Sequence, residues 1–463
     1  MASAITAPTY DPVTTAQGLA DQYVLARQQI LTAQTTAANA TQKGLTELSS
    51  AMSAFQTTLA SLTGLNKNIF AQAATFSDTG LGSATASAKA APGTYSFFVK
   101  QLATSSQVSF GGLTDQADVG GTLKINMGGT LAFEVDLGTP SSGRTLTPRD
   151  IAAAINNAED NDSLVTASVI TTSAGVSELV LTAKNTGEKT AITIDAGDVT
   201  GTSSLQDDLA DDQMHELVKA KDAEIHVGAE GGTAIKQPTN TFASIDGVKM
   251  TFTKAQASGS APLTVTVGTD TTTTTANVQA FVDAYNKLKT LLNRQTDPGD
   301  PSKGAAGGVF AHDGGMRALN DRLVSLLRPT GGTDSLAAYG IIATKDGTLE
   351  LRSDRLKSQL ERNPNGLDKL IGSSSASAPS GIAAALDTFL KGWSNSANGQ
   401  ILKRKDANTS LQKTLDDRQA KLELQHEAAY QRYLRQFTTL ATLQNTMNSN
   451  LSMFDAMFGN DKD

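Results

Sequence analysis

The sequence predicts a multidomain α+β protein. A helical coiled-coil domain is built from both termini, and two β-rich domains are nested between them. Two patterns predict this. Apolar residues recur in alternating steps of three and four at the two ends: Leu45, Leu48, Met52, Phe55, Leu59 and Leu62, then Tyr433, Phe437, Leu440, Met447, Leu451 and Phe454, with Gln444 and Phe458 continuing the series. Such spacing averages about 3.5 residues, the period of a coiled-coil seam. Between these ends, about two hundred residues rich in Thr, Gly, Ser and Val alternate apolar and polar as strands do.

Each element follows from local chemistry. Residues 1–40 read as a disordered or terminal helix segment, because Thr32 to Thr41 is nearly all Ala, Thr, Gln and Asn. That composition has little apolar area to offset ordering entropy. A helix is expected over 44–70. Gly93 to Leu102 reads as a strand, and Gly121–Asn126 with Leu131–Leu137 as a hairpin turning at Gly128-Gly129. Thr147-Pro148-Arg149-Asp150 opens a short helix. A strand pair is expected at Leu164–Thr172 and Glu178–Ala183, turning near Ala174-Gly175. Further strands are expected at Ala223–Val227, Ala243–Thr253 and Pro262–Val267.

Helices resume at Val278–Leu292, Met316–Leu327, Arg355–Leu360, Gly366–Ile371 and Ile382–Trp393, with Asp346-Gly347 as a turn between short strands. From Leu402 the chain lacks Gly and Pro until Gly459, which predicts one long helix whose charges alternate in sign from Lys403 to Arg435. The expected domains are 41–76 with 276–463 (helical), 77–119 with 222–275 (middle β), and 120–221 (outer β).

Composition excludes several function classes. At 463 residues the chain allows about three domains. Its formal net charge of −8 argues against nucleic acid, which requires a basic stripe. No apolar run reaches the roughly 18 residues of a membrane span. The chain has no cysteine, and its first residues lack a basic stretch followed by an apolar one. Both facts fit a cytoplasmic protein, or one exported by a route that reads an unfolded N-terminus.

Chemistry motifs are missing. His215, His226, His312 and His426 are scattered, with no pair at metal-ligand spacing. There is no Cys nucleophile, no G-x-S-x-G elbow and no phosphate-binding Gly-Lys loop. Gly80-Leu81-Gly82 opens no dinucleotide fingerprint. The cluster Asp207, Asp208, Asp211, Asp212 lacks the alternating ligands and central Gly of a calcium loop. Lys403-Arg404-Lys405 reads as the solvated start of a helix. The expectation is a structural protein with no catalytic residues, metal or cofactor.

Six motifs then resemble one family. Tyr433-Leu434-Arg435-Gln436-Phe437-Thr438-Thr439-Leu440 with Met447-Asn448-Ser449-Asn450 resembles the C-terminal helix of the flagellar filament cap family, hook-associated protein 2. Phe281 to Leu288 looks like that family's helix opening after the β domains. Ala91-Pro92-Gly93-Thr94-Tyr95 with Val99 to Ala103 resembles its N-terminal β signature, and Gly340-Ile341 with Asp346 to Leu351 also matches. Asp150 to Asn156, Val165 to Val169 and Glu178 to Ala183 resemble the short repeat of flagellin and hook proteins. Asn240 to Phe252 resembles the strand pair returning to the inner β domain.

The resemblance implies a cap at the distal filament tip that promotes folding and insertion of exported flagellin. It implies secretion by flagellar type III export and assembly into a ring, usually a pentamer. The implied partners are self, flagellin, the hook–filament junction proteins and a cytoplasmic export chaperone. Two alternatives remain: a flagellin or junction protein, or a surface adhesin whose β domains bind host mucin or glycans.

Overall fold

The computed structural model describes residues 10–138, 145–173, 176–201, 204–328 and 335–458. Among them the helices are α1 (Pro12–Thr63), α2 (Pro148–Asn157), α3 (Leu205–Asp208), α4 (Thr271–Thr296), α5 (Gly314–Leu326), α6 (Ser353–Arg362), α7 (Gly366–Ile371), α8 (Gly381–Ser394) and α9 (Gln400–Phe458). The chain divides into two units: Met1–Ile69 with Thr274–Asp463, and Phe70–Thr273. The α+β architecture is the one expected, with a helical unit from both termini and β material inserted between them in sequence.

The helical unit is organised by α1 and α9. Asp11 caps α1, its carboxylate accepting from the backbone N–H groups of Val13 and Thr14, and Pro12 occupies the first helical position. The Thr14 hydroxyl and N–H hold the Asp11 carboxyl below its ordinary range. The helix then runs unbroken for 52 residues. Of the two readings of residues 1–40, disorder or a terminal helix, the helix is the one formed from Pro12 onward, and it starts well before the expected residue 44. Residues 1–9 of that segment lie outside the described residues. The reason is the seam of Ala16, Ala20 and Ala38, all buried. Alanine contributes little to an apolar pattern yet is the best helix former.

The other end of α1 also differs from expectation. It stops at Thr63 rather than 70, and Asn66 adopts a left-handed φ of 57° in the turn that follows. Residues Gln72–Phe76, placed by expectation in the helical domain, form a strand of the β unit. On the other side of the insertion the helical unit begins at Thr274 rather than 276.

The β unit holds two cores. The inner one lies between a five-stranded antiparallel sheet and a three-stranded one. The first has the order Gln72–Phe76, Leu263–Thr269, Gly93–Gln101, Ala223–Val227, Thr233–Gln237; the second has Thr241–Ile245, Val248–Phe252, Gly82–Ala86. Phe97, Val99, Ile225, Phe242, Phe252 and Val265 fill this core, and Phe252 stacks on Phe76 at 5.5 Å.

The outer core sits among a four-stranded sheet (Met214–Val218, Gln107–Leu113, Val176–Ala183, Val165–Ser173), a second sheet centred on Val119–Met127, and α2. Val119–Met127 pairs with Thr130–Gly138, placing Ile125 opposite Phe133. Their turn is the expected Gly128-Gly129, with φ of 58° and 79°, a conformation that glycine adopts without penalty. A capping box between Thr147 and Asp150 opens α2.

The expected strand pair is present as Val165–Ser173 and Val176–Ala183; its turn at Ala174-Gly175 lies outside the described residues. The outer domain begins earlier than the expected residue 120, because Val108, Phe110 and Leu113 already belong to its core. The strand that carries them, Gln107–Leu113, pairs with segments about seventy and a hundred residues away, which local patterning does not report.

Candidate assembly surface

The two apolar seams do not meet each other. On α1, Leu45, Leu48, Met52, Phe55 and Leu59 are each no more than 1% exposed, and Leu62 is half-buried. Their cover includes α4: the Phe55 ring lies 6.2 Å from Phe281 and 6.3 Å from Tyr285. Burial pushes the Tyr285 hydroxyl far above its usual pKa, and it donates to the Gly347 carbonyl at 3.2 Å. The Gln295 amide donates to the Gly44 carbonyl, and Ser394 of α8 donates to Gln56. The termini form one helical domain, as expected, but within it the α1 seam packs on α4 rather than on the C-terminal seam.

What pairs with α9 is the N-terminal half of α1. Val24, Leu31 and Ala38 form one apolar cluster with Leu415 and Leu422. Polar contacts flank it along the whole antiparallel coil. The Asn408 amide, 5% exposed, donates to the Ala38 carbonyl at 3.1 Å and to Gln42 at 3.2 Å. Gln412 donates to Asn39, Gln28 to Gln419, and Arg27 to Gln425. His426 Nε2 lies 2.7 Å from an Asp21 carboxylate oxygen. A hydrogen bond from Arg27, and then its positive charge, draw the Tyr23 phenol's pKa down. At the end of the coil Tyr10 meets Phe437 edge-on at 5.7 Å.

Past Phe437, α9 continues for roughly 31 Å at 1.5 Å per residue. Tyr433 and Phe437 are half-buried, whereas Leu440 is 41% exposed, Met447 52%, Leu451 44% and Phe454 58%. Leu443, Met453 and Met457 are exposed too. Between Thr438 and Phe458 the one ionisable side chain is Asp455. Thr439, Thr442, Thr446 and Ser452 turn their hydroxyls back onto carbonyls four residues earlier. Each of these four hydroxyls is thereby satisfied inside the helix.

Among the described residues no group of three or more His, Asp or Glu side chains is arranged to hold a metal ion. In the acidic cluster, Asp208 accepts from Gln116 and Ser204. No described helix is long and apolar enough to cross a membrane.

The sequence matches two family models: flagellar hook-associated protein 2 N-terminus over residues 12–106 and C-terminus over 220–449. It is 33% identical over 390 residues to the lateral flagellar hook-associated protein 2 of Vibrio parahaemolyticus, covering 82% of this chain and 84% of the relative. The chain belongs to the flagellar hook-associated protein 2 family. Another relative of that family, the B-type hook-associated protein 2 of Pseudomonas aeruginosa, is 32% identical over 434 residues, covering 87% of this chain and 86% of its own. Among solved structures, the flagellar cap protein FliD D1-D2-D3 domains of Escherichia coli match with a TM-score of 0.64 at 25% identity, covering 79% of this chain and 99% of that one. Membership of this family does not favour the flagellin, junction-protein or adhesin alternatives.

Proposed function

We propose that this chain caps the distal end of a bacterial flagellar filament, where exported flagellin folds and inserts beneath it. Membership of the hook-associated protein 2 family and the likeness to a solved flagellar cap protein support a structural role. The observation that carries the assembly reading is the end of α9: a stretch bearing exposed Leu440, Leu443, Met447, Leu451 and Met453 with one ionisable group, lying beyond the start of α1. Monomeric proteins rarely expose such a stripe without a partner for it.

The seam residues Leu440, Met447 and Leu451 therefore serve self-association or docking in the filament end. A cap stops at a closed ring, which needs a heterologous interface whose rotation returns to its start. Five subunits is the number this reading favours. Flagellin, the junction proteins and an export chaperone are the partners it implies.

Deleting the gene tests the reading directly. Hooks should persist while flagellin appears in the medium as monomer. Full-length filaments in the deletion strain would refute a cap. Native mass and electron microscopy of the purified protein should show small closed rings; open filaments would favour a flagellin-like polymer.

A further inference from the structure

The inner and outer β domains are joined by two chain crossings, and two such strands alone make a joint that bends. The crossings lie side by side: Thr104 N–H donates to the Lys221 carbonyl at 3.0 Å, and Lys221 N–H donates back at 3.3 Å. The Thr104 hydroxyl donates to the Lys219 carbonyl at 2.5 Å. Domains linked this way are expected to move relative to each other unless something further holds them.

A third attachment exists, on a chain segment separated in sequence from both crossings. The outer domain's loop after strand Val176–Ala183 reaches onto the inner domain. Thr186 donates its hydroxyl to the Pro238 carbonyl at 2.5 Å. Gly187 N–H donates to the Thr104 carbonyl at 3.1 Å. Glu188 N–H donates to the Asp222 carboxylate at 2.8 Å.

Gly187 has a φ of 117°, and a Cβ there would stand 2.5 Å from Pro238 Cβ and 2.9 Å from Pro238 Cα. No other residue allows that approach. On the inner side the receiving groups are themselves anchored. Asn240 grips both backbone groups of Ala103, at 2.7 and 3.0 Å, and Gln101 donates to the Asp222 carbonyl at 2.7 Å.

We propose that Thr186-Gly187-Glu188 is a clasp that locks the outer β domain onto the inner one, through Asp222 and Pro238, so that the two move as one rigid body. The clasp is independent of the cap reading, since it concerns only how the β unit behaves.

The cysteine-free sequence makes the test clean. Spin labels at Glu134→Cys in the outer domain and Lys249→Cys in the inner one, both exposed sites, report the distance between the domains in the full chain. The parent should give one narrow distance distribution. Asp222→Ala and Gly187→Val should broaden it, while hydrogen-exchange protection of Leu123, Ile125, Phe97 and Val99 stays intact. If Gly187→Val does not fold, Asp222→Ala and Thr186→Val carry the test. A parent distribution that is already broad would overturn the proposal. So would narrow, unshifted distributions in Asp222→Ala and Thr186→Val.

Discussion

Between Leu45 and Leu59, α1 presents Leu, Met and Phe to a cover that includes α4. Between Ala16 and Ala38 the same helix presents mostly alanine to α9, flanked by Gln, Asn and Arg contacts. The first half is held by apolar area, at roughly 25 cal/mol per Å² buried. The second has little area to bury, and its many polar contacts each contribute only about 0.5–1.5 kcal/mol net. The difference teaches that one continuous helix can have a permanent end and a negotiable end. The negotiable end is the one that leads to the exposed stretch of α9.

The largest expected effect falls on the permanent end. Phe55→Ala should destabilise the helical unit by about 3–5 kcal/mol, as large aromatic deletions in cores do. Denaturant unfolding followed by helical circular dichroism measures it. A loss below about 1 kcal/mol would mean that this half is no more tightly packed than the coil.

The coil should respond more locally. Leu422→Ala removes one of its few large side chains and should cost about 2–3 kcal/mol. Hydrogen exchange should speed up in residues 12–40 and 405–430 and remain slow around Phe281 and Tyr285. Acceleration at both places would show that the two halves open together, and the contrast would collapse.

Asn408→Leu separates stability from register. A buried polar side chain in a coil costs stability and specifies alignment. The variant should melt no lower than the parent, yet admit shifted pairings. Disulfide trapping between Asn39→Cys and Gln412→Cys, which are hydrogen-bonded partners in the parent, should be efficient with Asn408 and reduced with leucine. Equal trapping in both would assign the register to another contact.

The smallest effect on stability is expected beyond the coil. Leu440→Ser with Met447→Ser should change unfolding free energy by no more than about 0.5 kcal/mol, because both sites are exposed in the single chain. The assembly measured by native mass should nevertheless fall toward monomer. A large loss of monomer stability would show that this stretch already has an intramolecular partner.

Much of the local structure was legible. Gly128-Gly129 announced a hairpin because both positions need positive φ. Thr147 and Asp150 announced a helix start because they satisfy each other's backbone donors. The unbroken run after Leu402 announced α9, since nothing in it stops a helix. Asp222 and Gly187 gave no signal: an acidic residue and a glycine 35 positions apart look like ordinary loop residues until the fold brings them together.

By itself the sequence determined that helices at 44 onward and 402 onward flank a middle of strands, and that the seam residues share one face of each helix. A period specifies a face but carries no address for its occupant. Tertiary structure alone decided that Phe55 meets Phe281 rather than Phe437 and that the alanine-rich half of α1 packs along the Asn408–Phe437 stretch of α9. It also decided that Gln107–Leu113 belongs to the outer domain. These choices depend on which surfaces best exclude water across long separations in the chain, a sum over many contacts that no local window contains.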